Sequence, residues 1–249
     1  PNGNYVEGYV SLVPEGEGVT LGLPYLGFYA DWEQAPLFDD VPDGDYYISP
    51  TRLVGASTDY IGGDYLGMGF GGTYDYSKLA FSADYNGEGN RALALLPGLR
   101  RNATSLNLSV LDPAGSVMWE SSYDRVPKNY FNTNSGGITL LAVWEGWDGC
   151  LTDGTYAPEG PGYIYRLAGS VGQSQAKQTM DIPFFLDNTA PKATDFTLVE
   201  EDGRYLLEFL VQDNHYVNYI QLGDSTSQER LAAVGDGFGE ITEPGALTR

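Results

Sequence analysis

The chain has 249 residues, with 34 acidic against 13 basic side chains, so its formal net charge is −21. Such acidity disfavours binding to nucleic acid or to an anionic membrane surface, since the field of the whole molecule repels polyanions. A single cysteine and a single histidine exclude a disulfide within the chain and leave little from which to build a Cys/His zinc site.

Alternating apolar and polar residues predict strands through most of the chain. No long segment with helical apolar spacing is free of Gly and Pro, and no apolar run reaches the roughly 18 residues that span a bilayer. Short strands separated by turn residues predict antiparallel β-sandwiches. The predicted strands are 5–12, 106–111, 116–120, 138–144, 162–168, 180–186, 196–200, 205–212 and 216–222.

Two segments divide the chain. Residues 38–76 are rich in Gly, Asp and Tyr, a composition that predicts an ordered excursion with a strand or two rather than core. Residues 187–191 contain Pro191, which restricts Ala190 to an extended conformation and so predicts a domain junction. We therefore predict three pieces: 1–76, the end of one sandwich plus the excursion; 77–190, a complete sandwich; and 191–249, the start of a third unit or strands added to the second.

Calcium is the metal that the sequence favours. Asp84, Asn86, Glu88 and Asn90 carry oxygen atoms at every second position, with a glycine after the third, as in the first half of a calcium-binding loop. Leu95 stands where an EF-hand would supply its bidentate glutamate. An Asx-rich turn that leads into a strand is the alternative interpretation.

Catalytic alternatives depend on the one histidine. His215 follows Asp213 and Asn214, which favours an exposed turn over a general base, and no nucleophile elbow occurs. A dyad with Cys150 is formally possible, but acidic neighbours such as Asp148 raise the pKa of a thiol and weaken it as a nucleophile. Close pairs of acids and the acidic turns at 147–154 are expected to be solvated turns and surface.

Tyrosines crowd the excursion, and exposed aromatic faces stack on sugars, so carbohydrate binding is a further alternative. Half-buried tyrosines are equally typical of strands in a sandwich. The tyrosines concerned are Tyr46, Tyr47, Tyr60, Tyr65, Tyr74 and Tyr76.

A series of turn motifs, in a fixed order, resembles a known family. Residues 79–91, LAFSADYNGEGNR, are similar to the pattern i-A-F-S-P-N-G-D-G-x-R-D, although its Pro and final Asp are not kept. The family is that of the cell-envelope subtilisin-like proteases, the lactocepins and the streptococcal complement-anaphylatoxin peptidase, in their fibronectin type III-like accessory domains. The matching segments are 6–10, 23–32, 79–91, 101–106, 110–112, 128–130, 147–149, 153–156, 162–166 and 187–191.

The resemblance implies a non-catalytic fragment of an extracellular subtilisin-like serine endopeptidase, on the surface or in the wall of a Gram-positive bacterium. The family's catalytic Asp, His and Ser have no matching positions here, so none of these residues is expected to be catalytic. The implied fold is all-β, a tandem of antiparallel fibronectin type III or immunoglobulin-like β-sandwiches.

The resemblance also implies a role and partners. The fragment would brace and space the catalytic domain and contribute exosites for protein or peptide substrates, so these are the expected partners, with no nucleic acid and no membrane insertion. No cofactor is required, and a structural calcium ion is the candidate ligand. The alternatives are a surface adhesin or carbohydrate-binding module, and an enzyme that uses His215.

Overall fold

A computed structural model provides the structure of the chain. It describes residues 4–31, 33–39, 51–57, 66–68, 74–83, 91–139, 143–172, 176–217, 219–223, 228–232 and 244–248. Within these ranges the chain forms seventeen β-strands and one short 3₁₀ helix, Tyr76–Lys78, with no α-helix. The all-β prediction is confirmed, and no described helix has the length and apolarity needed to cross a membrane.

Strands occur at the predicted positions except at 138–144, where one strand ends at Thr139, another begins at Val143 and residues 140–142 lie outside the described ranges. Others, such as Tyr130–Asn132 and Gln228–Ala232, are additional to the predicted ones. In chain order the strands are β1 (Asn4–Leu12), β2 (Leu21–Tyr29), β3 (Arg52–Ser57), β4 (Ala80–Phe81), β5 (Arg91–Leu96), β6 (Ala103–Leu111), β7 (Val117–Val126), β8 (Tyr130–Asn132), β9 (Gly137–Thr139), β10 (Val143–Trp147), β11 (Gly160–Ser170), β12 (Gln178–Leu186), β13 (Lys192–Glu201), β14 (Arg204–Gln212), β15 (Tyr219–Gly223), β16 (Gln228–Ala232) and β17 (Pro244–Thr248).

Two sheets enclose the main core. One has the order β4-β12-β11-β6-β7 and the other β10-β5-β3, and all of their pairings are antiparallel except that between β12 and β4. Along β6 buried and partly exposed residues alternate, because side chains on successive residues point to opposite faces of a strand. Side chains from both sheets share one buried cluster, as expected of a sandwich.

Aromatic rings fill the centre of this core. Trp147 is 1% exposed, and its ring centroid lies 6.1 to 6.3 Å from those of Phe81, Tyr163 and Phe184. The rings come from β10, β4, β11 and β12, so a single side chain of the smaller sheet contacts three strands of the larger one.

The predicted hairpin between β6 and β7 is confirmed. The Asp112 carboxylate accepts hydrogen bonds from the backbone N–H groups of Ala114 and Ser116, at 2.9 and 2.7 Å. Gly115 N–H donates to the Asp112 carbonyl oxygen. These bonds close the turn with the Asx geometry expected of an Asp-Pro-Ala-Gly sequence.

The prediction that residues 38–76 lie outside the core is wrong for Leu53. This residue is fully buried, and its strand β3 pairs along β5, with Leu53 opposite Leu95. Leu37 and Phe38 enter the same cluster. The short apolar run at 53–54 is hidden in the sequence by the surrounding Gly and Asp, and only pairing with β5 reveals it. The core therefore uses residues on both sides of position 76, and the division into domains stays a prediction.

The first hairpin leaves its apolar residues in solvent. Strands β1 and β2 pair over nine residues, yet Tyr9, Val19 and Leu26 are exposed by 76%, 83% and 69%. Exposed apolar side chains occur along the length of both strands. Such surfaces are typical of contacts with another part of a protein.

Candidate functional site

The predicted calcium loop lies outside the described residues. Asp84, Asn86, Glu88 and Asn90 all fall between Ala83 and Arg91, where the structure gives no placement, so calcium binding stays a prediction. Elsewhere in the described ranges no group of three or more His, Cys, Asp or Glu side chains is arranged to hold a metal ion.

The acidic turns at 147–155 use their carboxylates to hold their own backbone. Asp148 accepts a hydrogen bond from the N–H of Cys150, and Asp153 accepts from the N–H and hydroxyl of Thr155. The Trp147 indole donates to the Cys150 carbonyl oxygen at 3.0 Å, which fastens the turn to the core. The interpretation of this segment as structural turns is confirmed.

His215 is part of an aromatic stack. Its ring lies 4.5 Å from that of Phe185, nearly parallel, and 4.6 Å from the ring of Tyr216. The prediction of an exposed histidine is wrong, because the imidazole is half-buried between these rings. The Asp213 carboxylate accepts from the backbone N–H of His215, as in a turn, and burial lowers the pKa of the imidazole.

Cys150 has the raised pKa that its sequence context predicts. Burial is the larger cause, and the adjacent Asp148 adds to it. A thiol with a raised pKa is mostly protonated at neutral pH and is a weak nucleophile.

A second acidic group lies at the predicted domain junction. The two oxygens of Glu159 accept hydrogen bonds from Asn188 N–H at 2.6 Å and from the Thr189 hydroxyl at 2.9 Å. The Asn188 side chain in turn accepts from the N–H of Ala83, two residues after β4. These hydrogen bonds anchor the junction to the larger sheet.

Burial, with the nearby Asp213 and Glu159 charges, raises the pKa of Asp187 in this junction to about 6.

The tyrosines of the excursion give the carbohydrate alternative no support where they are described. Tyr74 and Tyr76 pack edge to face at 5.1 Å, and the Tyr76 hydroxyl donates to the Thr51 carbonyl oxygen at 2.7 Å. Tyr74 is largely buried, which raises the pKa of its hydroxyl. The other four tyrosines lie outside the described residues.

A cavity of about 860 Å³ lies where the first hairpin meets the end of the larger sheet, and the sequence analysis did not predict it. Arg100, Arg101, Arg125 and Lys128 all line it. No local sequence pattern marks this cluster, and strand register brings it together. Ala103 pairs with Val126, so continuing the antiparallel register by two residues places Arg101 opposite Lys128.

Comparison with known proteins identifies relatives for most of the chain. It is 30% identical over 200 residues to a PI-type proteinase of Lactococcus lactis subsp. cremoris. A PII-type proteinase of Lacticaseibacillus paracasei matches at the same identity and length. The chain is related to these proteinases. The match covers 75% of the chain but only 10% of the length of each proteinase. No protein-family profile matches the chain.

Proposed function

We propose that this chain is a non-catalytic accessory region of an extracellular subtilisin-like serine endopeptidase. In this proposal it braces and spaces the catalytic domain and contributes exosites for protein substrates, at the cell surface or in the wall of a Gram-positive bacterium. The observation that carries the proposal is the match to proteinases over 200 residues. The chain spans only about a tenth of the length of these proteinases.

The site chemistry supports a role other than peptide hydrolysis. A serine triad needs an imidazole that is free to accept a proton from the nucleophile. The chain has one histidine, and its ring packs against Phe185 and Tyr216 while Asp213 bonds its backbone N–H. The acidic residues of the turns are bonded to backbone groups nearby, so they stabilise loops.

The exposed first hairpin supports a bracing role. Apolar side chains on β1 and β2 are in contact with water here, and burying such surface is favourable by roughly 25 cal/mol per Å². In this proposal the hairpin belongs to the end of a first fibronectin type III-like sandwich, whose other strands are supplied by the rest of the proteinase. The second sandwich takes β3 in addition to strands within residues 77–190, and residues 191–249 begin a third unit or add strands to the second.

A chimera tests the proposal. The matching 200 residues of the Lactococcus lactis PI-type proteinase are replaced by those of this chain, and a second protein carries a deletion of the same segment. We expect the chimera to cleave casein and a small chromogenic peptide. We expect the deletion to lose casein cleavage and thermal stability, since bracing and exosite contacts are removed.

A control addresses catalysis directly. The 249-residue chain and its His215→Ala variant are incubated with fluorescent casein, and we expect no cleavage by either. Hydrolysis by the chain that His215→Ala abolishes would overturn the proposal in favour of an enzyme. A deletion that leaves casein cleavage and stability intact would contradict the bracing role.

A further inference from the structure

The cavity beside the first hairpin is built from basic and aromatic side chains. Tyr5 and Phe28, with ring centroids 5.2 Å apart, contribute an aromatic wall. Most of the remaining lining comes from residues 100–104, which lead into β6, and from residues 125–128, which end β7.

The charge in this cavity is opposite to that of the molecule. Four of the 13 basic residues of the chain line it, and no described Asp or Glu is part of the lining, although the net charge is −21. Asp39, outside the lining, pairs with Arg100, so Arg101, Arg125 and Lys128 supply the local excess of positive charge. Salt at physiological strength screens charges beyond roughly 8 Å, so the local cations dominate at contact distance. The surrounding acidity repels long polyanions, which favours a short anionic ligand over an anionic polymer.

Two of the cations are held in place by the fold. The Arg100 side chain donates from Nε to the Asp39 carboxylate at 2.9 Å, and the Asp39 side chain is only 2% exposed. The Arg101 side chain donates from Nη1 to the Ala35 carbonyl oxygen at 2.6 Å. Arg125 and Lys128 are exposed and can reach a ligand. The cavity thus combines two ordered cations, Arg100 and Arg101, with two accessible ones, Arg125 and Lys128.

The segments that carry these cations are tied together. The Asn102 side chain accepts from the N–H of Lys128 at 2.9 Å. The buried Asn129 donates from its side chain to the Pro97 carbonyl oxygen at 3.1 Å. Arg125 has a φ of +54°, a conformation that raises the energy of a non-glycine residue by roughly 1–2 kcal/mol. Such strain persists where the surroundings fix it, and it concentrates at functional sites.

We propose that this cavity binds a short peptide segment, supplied in trans, that carries carboxylates beside an apolar side chain. Guanidinium groups bind carboxylates through paired, charge-assisted hydrogen bonds, and the Tyr5–Phe28 wall offers an apolar surface. A volume of about 860 Å³ is within the range of ligand sites and holds a few residues. The inference goes beyond the accessory role and does not depend on it.

Binding of a labelled peptide to the full chain tests the proposal. Fluorescence anisotropy follows a short peptide of alternating Glu and Phe, and the matched peptides replace Glu by Gln or Phe by Gly. Losing a charge-assisted contact weakens binding by about ten-fold or more, so we expect this loss with the Gln peptide. We expect weaker binding of the Gly peptide and a steady loss of affinity as salt is raised.

Variants locate the site. Arg125→Asn removes the charge with a residue that tolerates positive φ, and Lys128→Gln removes the second exposed charge. Each is expected to lower the affinity by about ten-fold without lowering the melting temperature, which Arg125→Asn is expected to raise because it relieves the strain. Lys192→Gln, on exposed β13 outside the lining, makes the same charge change and is expected to leave binding unchanged.

Three results would overturn the proposal. The Gln peptide could bind as tightly as the Glu peptide, or Lys192→Gln could weaken binding as much as Lys128→Gln. Inorganic phosphate could bind, by isothermal titration calorimetry, to a chain that does not bind the Glu peptide, which would identify a phosphate site instead. None of these results depends on whether the parent protein is a protease, so they are distinct from failure of the proposed function.

Discussion

Gly149 and Ala83 lie in such close contact that a Cβ atom on Gly149 would overlap the Cβ of Ala83. The contact joins the acidic turn after β10 to a residue two positions beyond β4, next to Phe81 and Trp147 in the core. The backbone of Gly149 also has a φ of +82°. Gly149, the third residue of Trp147-Asp148-Gly149, is therefore required for two reasons: it has no Cβ atom, and it adopts a positive φ without strain.

Gly149→Ala is expected to destabilise the protein by about 3 kcal/mol, because overpacking adds to the strain of a positive φ. Gly154→Ala is the matched control, since Gly154 has the same φ of +82° with no atom near its Cβ position. Strain alone is expected to reduce its stability by about 1 kcal/mol. Urea unfolding measures both values. Equal effects of the two substitutions would contradict the close contact with Ala83.

Tyr163 and Tyr165 lie on the same face of β11, and removing the hydroxyl of each is expected to change the stability of the protein in opposite directions. The Tyr163 hydroxyl donates to the Pro158 carbonyl oxygen at 2.6 Å. The hydroxyl of the fully buried Tyr165 has no hydrogen-bond partner among the described residues. Tyr163→Phe is expected to lower the free energy of unfolding by about 1 kcal/mol, and Tyr165→Phe to raise it by about 1 kcal/mol.

Thermal or urea unfolding of the two variants, with the wild type as reference, separates these effects. Each variant removes a single oxygen atom from the same kind of residue, so packing changes are matched. A loss of stability in Tyr165→Phe as large as that in Tyr163→Phe would show that the Tyr165 hydroxyl is bonded.

Asp187 predicts a pH dependence of stability. Burial is the main reason that its pKa rises from 3.8 to about 6, and the neighbouring Asp213 and Glu159 add to the rise. The folded protein then binds this proton more tightly than the unfolded chain does, so the stabilisation is complete below pH 3.8 and is lost as the pH rises through 6. Asp187→Asn is therefore expected to gain stability relative to the wild type as the pH rises across this window.

The difference in melting temperature between Asp187→Asn and the wild type, measured from pH 4 to pH 8, removes the contribution of the other carboxylates. Asparagine keeps an oxygen that can accept from the N–H of Thr189. Asp213→Asn is expected to shift the midpoint of the wild-type transition to lower pH, because a neighbouring charge is removed. A difference that does not change with pH would disprove the raised pKa.

Calcium at Asp84, Asn86, Glu88 and Asn90 is a prediction that differential scanning calorimetry can test. A ligand that binds only the folded state raises the melting temperature, and Asp84→Ala should reduce that rise. Divalent cations also screen the repulsion in a chain of net charge −21, so Asp124→Ala, on β7 outside the loop, is the control. A rise that is the same in all three proteins would indicate screening without a site.

Local patterns in the sequence determined four of the five strands of the larger sheet, β6, β7, β11 and β12. Alternation along β6 and the Asp-Pro-Ala-Gly turn after it are local features, and the structure contains both. The carboxylates of Asp148 and Asp153 bind backbone groups within two residues, so their role as turn formers could be predicted from neighbouring positions alone.

Contacts between distant residues were decided only by the tertiary structure. Leu53 is buried because β5, some forty residues later, pairs with its strand, and no local pattern at 51–57 records that pairing. The sequence predicts His215 in solvent, whereas Phe185 on β12 covers it in the structure. The four basic residues of the cavity are unremarkable in the sequence and meet because the β6–β7 register and the first hairpin bring them to one place. Strand pairing is long-range, so local patterns predict many of the strands, and only the tertiary structure decides which surfaces those strands create.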